Sequence, residues 1–329
     1  MSFSIGPYRL PGRVLLAPMA GVSDPPFRAL CHRFGAALCG AEMLSADQRL
    51  WSTPKSLRRM DHSQESGLRT VQLAGSDPQQ LAAAARHNVA LGAQIIDINM
   101  GCPAKKVCNR LCGSALLADE VLVGRIFDAV VAAVPVPVTV KVRTGPDPTS
   151  RNAVKIAVMA ERCGVAAIAI HGRTRADLFR GNAEYETIRA VKQSVNIPVI
   201  ANGDITDAQQ AHAVLDVTGA DGVMIGRGAQ GSPWIFQAVN SFIDDGESAP
   251  PLLQTAIAKI ILAHLESLYE FYGEYTGIRM ARKHLSWYGQ RLSLAPAARK
   301  ALMAASTTAI QHALAAEAFG TDHCVPVAA

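Results

Sequence analysis

The chain lacks any apolar run approaching the ~20 residues that a membrane-spanning helix needs, although 49% of its 329 residues are hydrophobic. Between Met1 and Pro18 no cationic stretch precedes a long apolar run, so no secretory leader is read there. Cysteine is scarce. Seven residues scattered along the chain are too few for a disulfide framework. Acidic residues are missing from two stretches: Gln48 to Met60, which holds Arg49, Lys55, Arg58 and Arg59, and Arg279 to Lys300, which holds Arg279, Arg282, Lys283, Arg291, Arg299 and Lys300. These absences lead to the expectation of a soluble, reduced, cytoplasmic protein with no membrane partner. The formal net charge of +5 says only that polyanions are not repelled. The acid-free stretches say more, because His284, Trp287 and Tyr288 interleave the second, and cations with aromatics suit phosphates and bases. The plain alternative is a solvated helix face.

What is present is a rhythm. From Arg13 to Gly226, short runs rich in Val, Ile, Leu or Ala (Val14–Ala17, Ala37–Ala41, Thr70–Ala74, Gln94–Ile98, Val136–Val142, Ala166–Ile170, Ile197–Ala201, Gly222–Ile225) alternate with amphipathic stretches such as Pro78–Leu91 and Ala208–Thr218. Near-continuous apolar strands alternating with helices predict a parallel sheet buried on both faces. Eight such units predict an α/β fold of the (β/α)8 TIM-barrel type. The expected barrel covers residues 1–243, a polar linker 244–251, a small C-terminal α-helical domain 252–319 and a frayed tail 320–329. The first twelve residues read as two short strands around Gly6-Pro7, covering the barrel floor.

In such a barrel the strand ends and the loops after them build the active site. Here nearly every strand exits into a polar or glycine-containing group: Pro18-Met19-Ala20-Gly21, Glu42-Met43, Gln72, Asn99-Met100-Gly101-Cys102-Pro103, Lys141-Val142-Arg143, His171-Gly172-Arg173, Asn202-Gly203-Asp204 and Gly226-Arg227-Gly228. That convergence predicts an enzyme. The last two loops are glycine-rich and precede helices, so their N–H groups can hold a phosphate. Gly226–Gly231 also spells G-x-G-x-x-G, but no strand follows it as a dinucleotide fold requires, which leaves the phosphate of a mononucleotide. Lys141 at a strand end could stabilise the negative charge of a reduced flavin, or be an ordinary surface lysine. Gln72 could bond a ring edge or cap a loop, and His171 could meet phosphate or ring or simply be a satisfied polar group. Cys102, on a constrained turn between Gly101 and Pro103, is the sharpest candidate; its bland alternative is a small buried hydrophobe. With Cys108 and Cys112 it spells C-x5-C-x3-C, which matches none of the common cluster signatures, so no metal is expected. No His-x-Glu and Pro-Cys-x-x-Cys deaminase pattern occurs either.

These motifs, in this order, resemble the bacterial tRNA-dihydrouridine synthases. The strings are Leu16–Gly21, Val71–Gly75, Asp97–Pro103, Lys141–Gly145, His171–Thr174, Ile200–Asp204 and Met224–Arg227, and the likeness runs from about Gly6 to about Tyr288. Ala104-Lys105-Lys106-Val107 and Arg282-Lys283-His284-x-Ser286-Trp287-Tyr288 are most similar to the B branch. The resemblance implies an FMN barrel and a helical domain that together grip tRNA, with no DNA and no obligatory protein partner. It implies that NADPH, or NADH, reduces the flavin, that hydride passes from flavin N5 to uridine C6, and that Cys102 protonates C5. By match of motif, FMN contacts fall on Pro18, Met19, Ala20, Gln72, Lys141, His171, Asn202, Gly203, Asp204, Gly226 and Arg227, while Asn99, Arg143 and Arg173 face the uracil and its phosphates. The branch implies a uridine in the D-loop.

A free thiol of pKa ≈ 8.5 is mostly protonated at neutral pH and can act as an acid; Lys105 and Lys106 are expected to depress that value. Arg279, Arg282 and Lys283 are expected to meet tRNA phosphates, with Trp287 in the core. Cys108 and Cys112 receive no role. Two rival readings share parts of this pattern: an FMN barrel acting on a small pyrimidine-like molecule, and an RNA-binding barrel without catalysis.

Overall fold

The computed structural model describes residues 2–62, 65–104, 108 and 112–320. Helix starts follow from local chemistry. Asp24, Thr53 and Asp77 each precede a proline that opens a helix, and each side chain accepts a hydrogen bond from a first-turn N–H group, satisfying a donor the helix cannot. The helices of the barrel ring are α1 Pro25–Arg33, α2 Pro54–Met60, α3 Pro78–Ala90, α4 Glu120–Val131, α5 Ala153–Arg162, α6 Glu186–Ser194, α7 Ala208–Thr218 and α8 Ile235–Asp245.

The strands are β1 Ser4–Ile5, β2 Tyr8–Arg9, β3 Val14–Leu16, β4 Leu38–Cys39, β5 Leu44–Ser45, β6 Thr70–Ala74, β7 Ile95–Met100, β8 Val138–Arg143, β9 Ala167–His171, β10 Val199–Asn202 and β11 Gly222–Ile225. β1 and β2 form an antiparallel hairpin around Gly6-Pro7. The other nine pair in parallel in the order β4-β3-β11-β10-β9-β8-β7-β6-β5. β4 and β5 are two pieces of one stave: Leu38–Cys39 pairs with β3, Leu44–Ser45 pairs with β6, and four residues join them. The ring therefore closes with eight staves, as the sequence rhythm predicts.

Strand alternation sorts the side chains. Ile96, Ile98, Val140, Val142, Ile168, Ile170, Val199 and Ala201 join the core shared with the outer helices. Ile5, Leu10, Leu15, Ile95, Ala167, Ala169, Ile200 and Met224 form a separate cluster, so the N-terminal hairpin plugs the barrel floor. The same inward register, farther along the strands, carries Gln72, Asp97, Asn99, Thr139, Lys141, Arg143, His171 and Asn202 up one inner face toward the strand ends.

After α8 come α9 Gln254–Arg291, α10 Pro296–Ala304 and α11 Thr308–Gly320. α9 breaks at Gly273 (φ 72°, ψ 171°) into two arms; a Cβ on Gly277 would lie 3.0 Å from Tyr269 Cα, so the arms fold back on one another. Helix α8 runs through Asp244 and Asp245, the first two residues expected in the linker, and left-handed Gly246 ends it at the next residue. The last helix includes Gly320, which was expected in the tail; residues 321–329 lie outside the described ones. No helix among the described residues is long and apolar enough to cross a membrane.

Phe27 joins the barrel to the helices. It is fully buried and its ring lies 5.8 and 5.3 Å from those of His264 and His284. Phe27→Ala is expected to cost ~3–5 kcal/mol of stability, measured from denaturant midpoints; a loss below about 1 kcal/mol would mean this junction is not tightly packed.

Candidate active site

Cys102 sits just past β7 on a turn that its neighbours fix from three sides. Asn99 Oδ1 accepts from Cys102 N at 3.1 Å and, at longer range, from Gly101 N. Ser114 donates to the Cys102 carbonyl from its hydroxyl at 3.0 Å and its backbone N–H at 3.1 Å. Arg143 Nε donates to the Gly101 carbonyl at 2.8 Å. The orientation of Asn99 is itself set from below. Its Nδ2 donates to Gln72 Oε1 (2.7 Å), Gln72 Nε2 donates to Asp97 Oδ2 (2.7 Å), and Asp97 Oδ1 accepts from Thr139 (2.7 Å). A carboxylate that only accepts fixes which way both amides point. Burial pushes the Cys102 thiol above its ordinary value, more than Arg143 draws it down. The expected depression by Lys105 and Lys106 falls on residues outside the described ones. Cys102 is half-buried, its thiol protonated at neutral pH and its backbone held on three sides.

Four cations gather across the mouth. Lys141 Nζ donates to Asn202 Oδ1 at 2.8 Å, and Asn202 Nδ2 donates to the Met224 carbonyl at 2.7 Å. Burial, with Arg143 nearby, lowers the Lys141 ammonium to about 8. His171 is brought down to about 2 by burial and then by Lys141, Arg143, Arg173 and Arg227, so its imidazole is neutral. Arg173 Nη1 lies 3.2 Å from His171 Nε2; a guanidinium only donates, so Nε2 accepts and the ring proton sits on Nδ1.

Asp204 organises two of these cations. It pairs with Arg173 through both oxygens (2.8 and 2.6 Å) and with Arg227 at 3.1 Å, and accepts from Ala183 N at 2.7 Å. Its φ is +49° and that of Gly203 is +134°. A Cβ on Gly203 would lie 2.6 Å from Ala183 Cβ, and one on Gly228 would lie 2.3 Å from the Ile205 carbonyl oxygen. Only glycine fits either place, and the second contact brings the loops after β10 and β11 together. The short 3-10 helix Arg227–Ala229 leaves its first N–H groups without intrahelical acceptors, beside a guanidinium that is 56% exposed. Ala17 and Met19, just past β3, face this loop: a Cβ on Gly226 would lie 3.7 Å from Ala17 Cβ and 3.8 Å from Met19 Sδ, while Pro18 lies against Gly40 on the other side. The four cations outnumber the carboxylates that act on them, Asp204 on Arg173 and Arg227, Asp97 on Lys141 and Asp177 on Arg143, and with the N–H groups of the 3-10 turn beside them they fit a phosphate-bearing anion such as FMN. Among the described residues no group of three His, Cys, Asp or Glu could hold a metal.

Several expected contacts land elsewhere. Arg143 is 1% exposed and donates to the carbonyls of Gly101, Thr174 and Leu178; Arg173 is 3% exposed and donates to Arg180 and Gly181 carbonyls as well as Asp204. Both guanidiniums are committed to loop backbone and do not face an open substrate surface, and Asn99 is likewise engaged at both ends. In the acid-free run only part points outward. Arg279 is exposed and stacks on Tyr275, but Arg282 donates to the Ala305 carbonyl and Lys283 to the Gly21 carbonyl. His284 and Tyr288 are buried, Tyr288 bonded to His264 at 3.0 Å, so they cannot stack on bases; Trp287 is partly buried against the barrel core. Cys108 donates weakly to the Cys102 carbonyl at 3.5 Å.

Residues that sequence reasoning passed over include Asp97, Ser114 and Phe179. Phe179 is 55% exposed with the guanidiniums of Arg143 and Arg227 at 5.3 and 5.2 Å from its ring. The only sequence signal for Asp97 was its place two residues before Asn99, on the same strand face. Ser114→Ala removes one of two strong donors to the Cys102 carbonyl and is expected to cost ~0.5–1.5 kcal/mol of stability. Cys108→Ala should change stability by less than Ser114→Ala in the same melts; the reverse order would reassign the turn's support.

Comparison with known proteins now bears on this site. The family described as "Dihydrouridine synthase (Dus)" matches residues 15–322. The tRNA-dihydrouridine synthase B of Serratia marcescens is 58% identical over 286 residues, 87% of this chain and 86% of that one. That of Pseudomonas aeruginosa is 56% identical over 296 residues, 90% of this chain and 88% of that one. Among solved structures, an old yellow enzyme homologue from Zymomonas mobilis superposes with a TM-score of 0.54 at 16% identity, covering 77% of this chain and 94% of its own. Morphinone reductase in complex with tetrahydroNAD does so with a TM-score of 0.53 at 14% identity, covering 77% and 92%. At such identities the likeness is one of fold, the barrel itself. The match over residues 15–322, together with relatives above half identity across most of both chains, shows that this chain belongs to the dihydrouridine synthase family, on its B branch.

Proposed function

We propose that this chain reduces uridines in tRNA to 5,6-dihydrouridine, using FMN as cofactor and NADPH as reductant. The observation that carries the reading is a protonated thiol on a backbone turn held from three sides, at the same barrel mouth as four converging cations. Bound FMN supplies the hydride for C6 of the uracil ring. The protein's own contribution is a proton and a place. Cys102 delivers the proton to C5, and its raised pKa keeps that proton available above neutral pH. Gly203, Asp204, Gly226 and Arg227 hold the phosphate, Asp204 by aiming Arg227 rather than by touching an anion. Lys141 and the Nδ1–H of His171 serve the ring, Gln72 and Asn202, each engaged at both ends of its amide, support it by orienting Asn99 and Lys141, and Pro18, Met19 and Ala20 form its lip. Asn99, Arg143 and Arg173 act by holding the loops around the base.

Residues 1–243 form the catalytic unit in this reading, 244–251 connect, and 252–319 help to hold tRNA, with Arg279 the basic residue of the expected trio that is free to do so. A barrel acting on a small pyrimidine-like molecule would not need the exposed cations of that segment, and a non-catalytic RNA-binding barrel would not need a buried carboxylate fixing the amides behind Cys102. The deciding experiment is a map of dihydrouridine across tRNA from cells with and without this protein, joined to identification of the flavin released from the purified chain. Unchanged dihydrouridine, or release of FAD, would overturn the corresponding part.

Cys102→Ala is expected to keep its flavin and bind tRNA while losing ~10²–10⁴-fold in turnover; reduction of the flavin by NADPH should stay normal. Because burial raises the Cys102 pKa, the rate of uridine reduction by pre-reduced enzyme should fall only above the ordinary thiol value of ~8.5. A fall centred near neutrality would mean a different acid.

Lys141→Met is expected to lower the flavin midpoint potential, since the cation favouring the reduced, negatively charged ring is gone. A lysine whose pKa lies near 8 is charged below that pH and neutral above it. A bound anion raises the value. The difference between wild type and variant should therefore shrink as pH rises beyond about 8, as read by spectroelectrochemical titration. Equal potentials at pH 7 would remove Lys141 from the ring edge.

A further inference from the structure

We infer that Lys283 is a positioning residue for the cofactor lip: together with Glu42 it clamps Gly21 through the two peptide groups that flank it, bracing Pro18–Gly21 from the helical side, and it is not a phosphate contact for tRNA. The inference rests on the reading of Pro18–Ala20 as the flavin lip.

Gly21 is held through the peptide groups on both sides of it. Lys283 Nζ donates to its carbonyl, and its N–H donates to Glu42 Oε1. That same carboxylate oxygen accepts from Arg59, which also donates to the Met43 carbonyl at 2.8 Å. Three residues on, Asp24 caps α1 with one oxygen and accepts from Tyr272 with the other, at 3.0 Å. The guanidinium of Arg58 lies 5.7 Å from the Tyr272 ring. The second arm of α9 braces the opposite loop as well. A Cβ on Gly231 would lie 2.5 Å from the Trp287 carbonyl oxygen, and Gln230 Nε2 reaches Met19 Sδ at 3.7 Å. One rigid arm thus touches the loops after β3 and β11, the two between which Gly226 and Met19 face each other.

The chemistry around Lys283 is that of a structural tie. Its ammonium is half-buried with Asp24 and Glu42 as its charge partners and a backbone carbonyl as acceptor. An ammonium already spent on a backbone carbonyl, with two carboxylates near it, has little to offer an arriving phosphate and few counterions to release. Arg279, four residues earlier and therefore on the same helical face, is exposed. A phosphate contact and a lip contact thus lie one turn apart on a single helix, so RNA seated on that face and flavin seated in the lip share one strut.

The test compares the full-length protein with Lys283→Gln, Lys283→Arg, Tyr272→Phe and Arg279→Gln. FMN rebinding is followed by quenching of flavin fluorescence, and tRNA affinity is measured across a salt series. Lys283→Gln should weaken FMN binding about tenfold, the worth of one charge-assisted hydrogen bond, and leave the salt slope unchanged. Lys283→Arg should recover most of that loss. Tyr272→Phe, which removes one hydroxyl and keeps the ring, should weaken FMN binding about threefold and decides the matter if Lys283→Gln does not fold. Arg279→Gln should behave oppositely, with FMN unaffected and the slope shallower by about one. Unchanged FMN affinity in both Lys283→Gln and Tyr272→Phe overturns the inference, as does a slope loss of about one in Lys283→Gln with FMN affinity intact. A wild-type chain that binds no FMN instead overturns the cofactor reading, and is seen before any variant is made.

Discussion

Mutual repulsion among four cations at the barrel mouth is the constraint around which the rest of the site is arranged. Lys141, Arg143, Arg173 and Arg227 all act on the same imidazole, and all push it in the same direction. Each cation is relieved differently. Arg173 and Arg227 share Asp204, Arg143 is surrounded by carbonyl oxygens, and Lys141, half-buried, gives up part of its hold on a proton. What remains is a residual positive potential beside unpaired N–H groups. An anion placed there removes repulsion as well as gaining attraction, so a site of this kind is under tension without its ligand. The left-handed backbone at Asp204 belongs to the same arrangement, because it turns one carboxylate toward two guanidiniums at once.

The relation between the thiol and these cations is equally physical. Arg143 reaches the carbonyl just before Cys102 and the carbonyl just before Phe179, so two loops from different strands are registered by one planar group. Its charge lowers the thiol's pKa, yet burial outweighs it. The outcome is an acid that keeps its proton while standing among positive charges, which is the combination a proton donor to a developing carbanion requires.

Much of the barrel was legible because a parallel strand buried on both faces must be apolar along its length, and each such run in the sequence became a stave within a residue or two. The split second stave was not legible: Ala37–Ala41 reads as one strand, and only pairing to two different neighbours divides it. Cys102 and the glycine loops were legible because their chemistry is local. Asp97 and Ser114 were not, since their roles come from hydrogen bonds to residues 25 and 12 positions away. The basic run misled for a reason that composition cannot reveal. A helix packed between a barrel and other helices has little free surface, so the same few turns send Arg279 outward, Lys283 into the lip and Tyr288 into the core.

The divided stave gives the ring a seam. Elsewhere neighbouring strands are laced by three to five paired positions, but β4 meets β3, and β5 meets β6, through two each. Breathing motions cost least where the ladder is shortest, so amide exchange should enter the barrel here while the other staves stay zipped. Glu42 lies in the gap, between the two half-staves, and is the barrel's own grip on the Gly21 lip. The wall of the mouth that can yield without unlacing the cylinder is therefore the one beside the lip, and a planar guest entering or leaving has a compliant side built into an otherwise stiff rim.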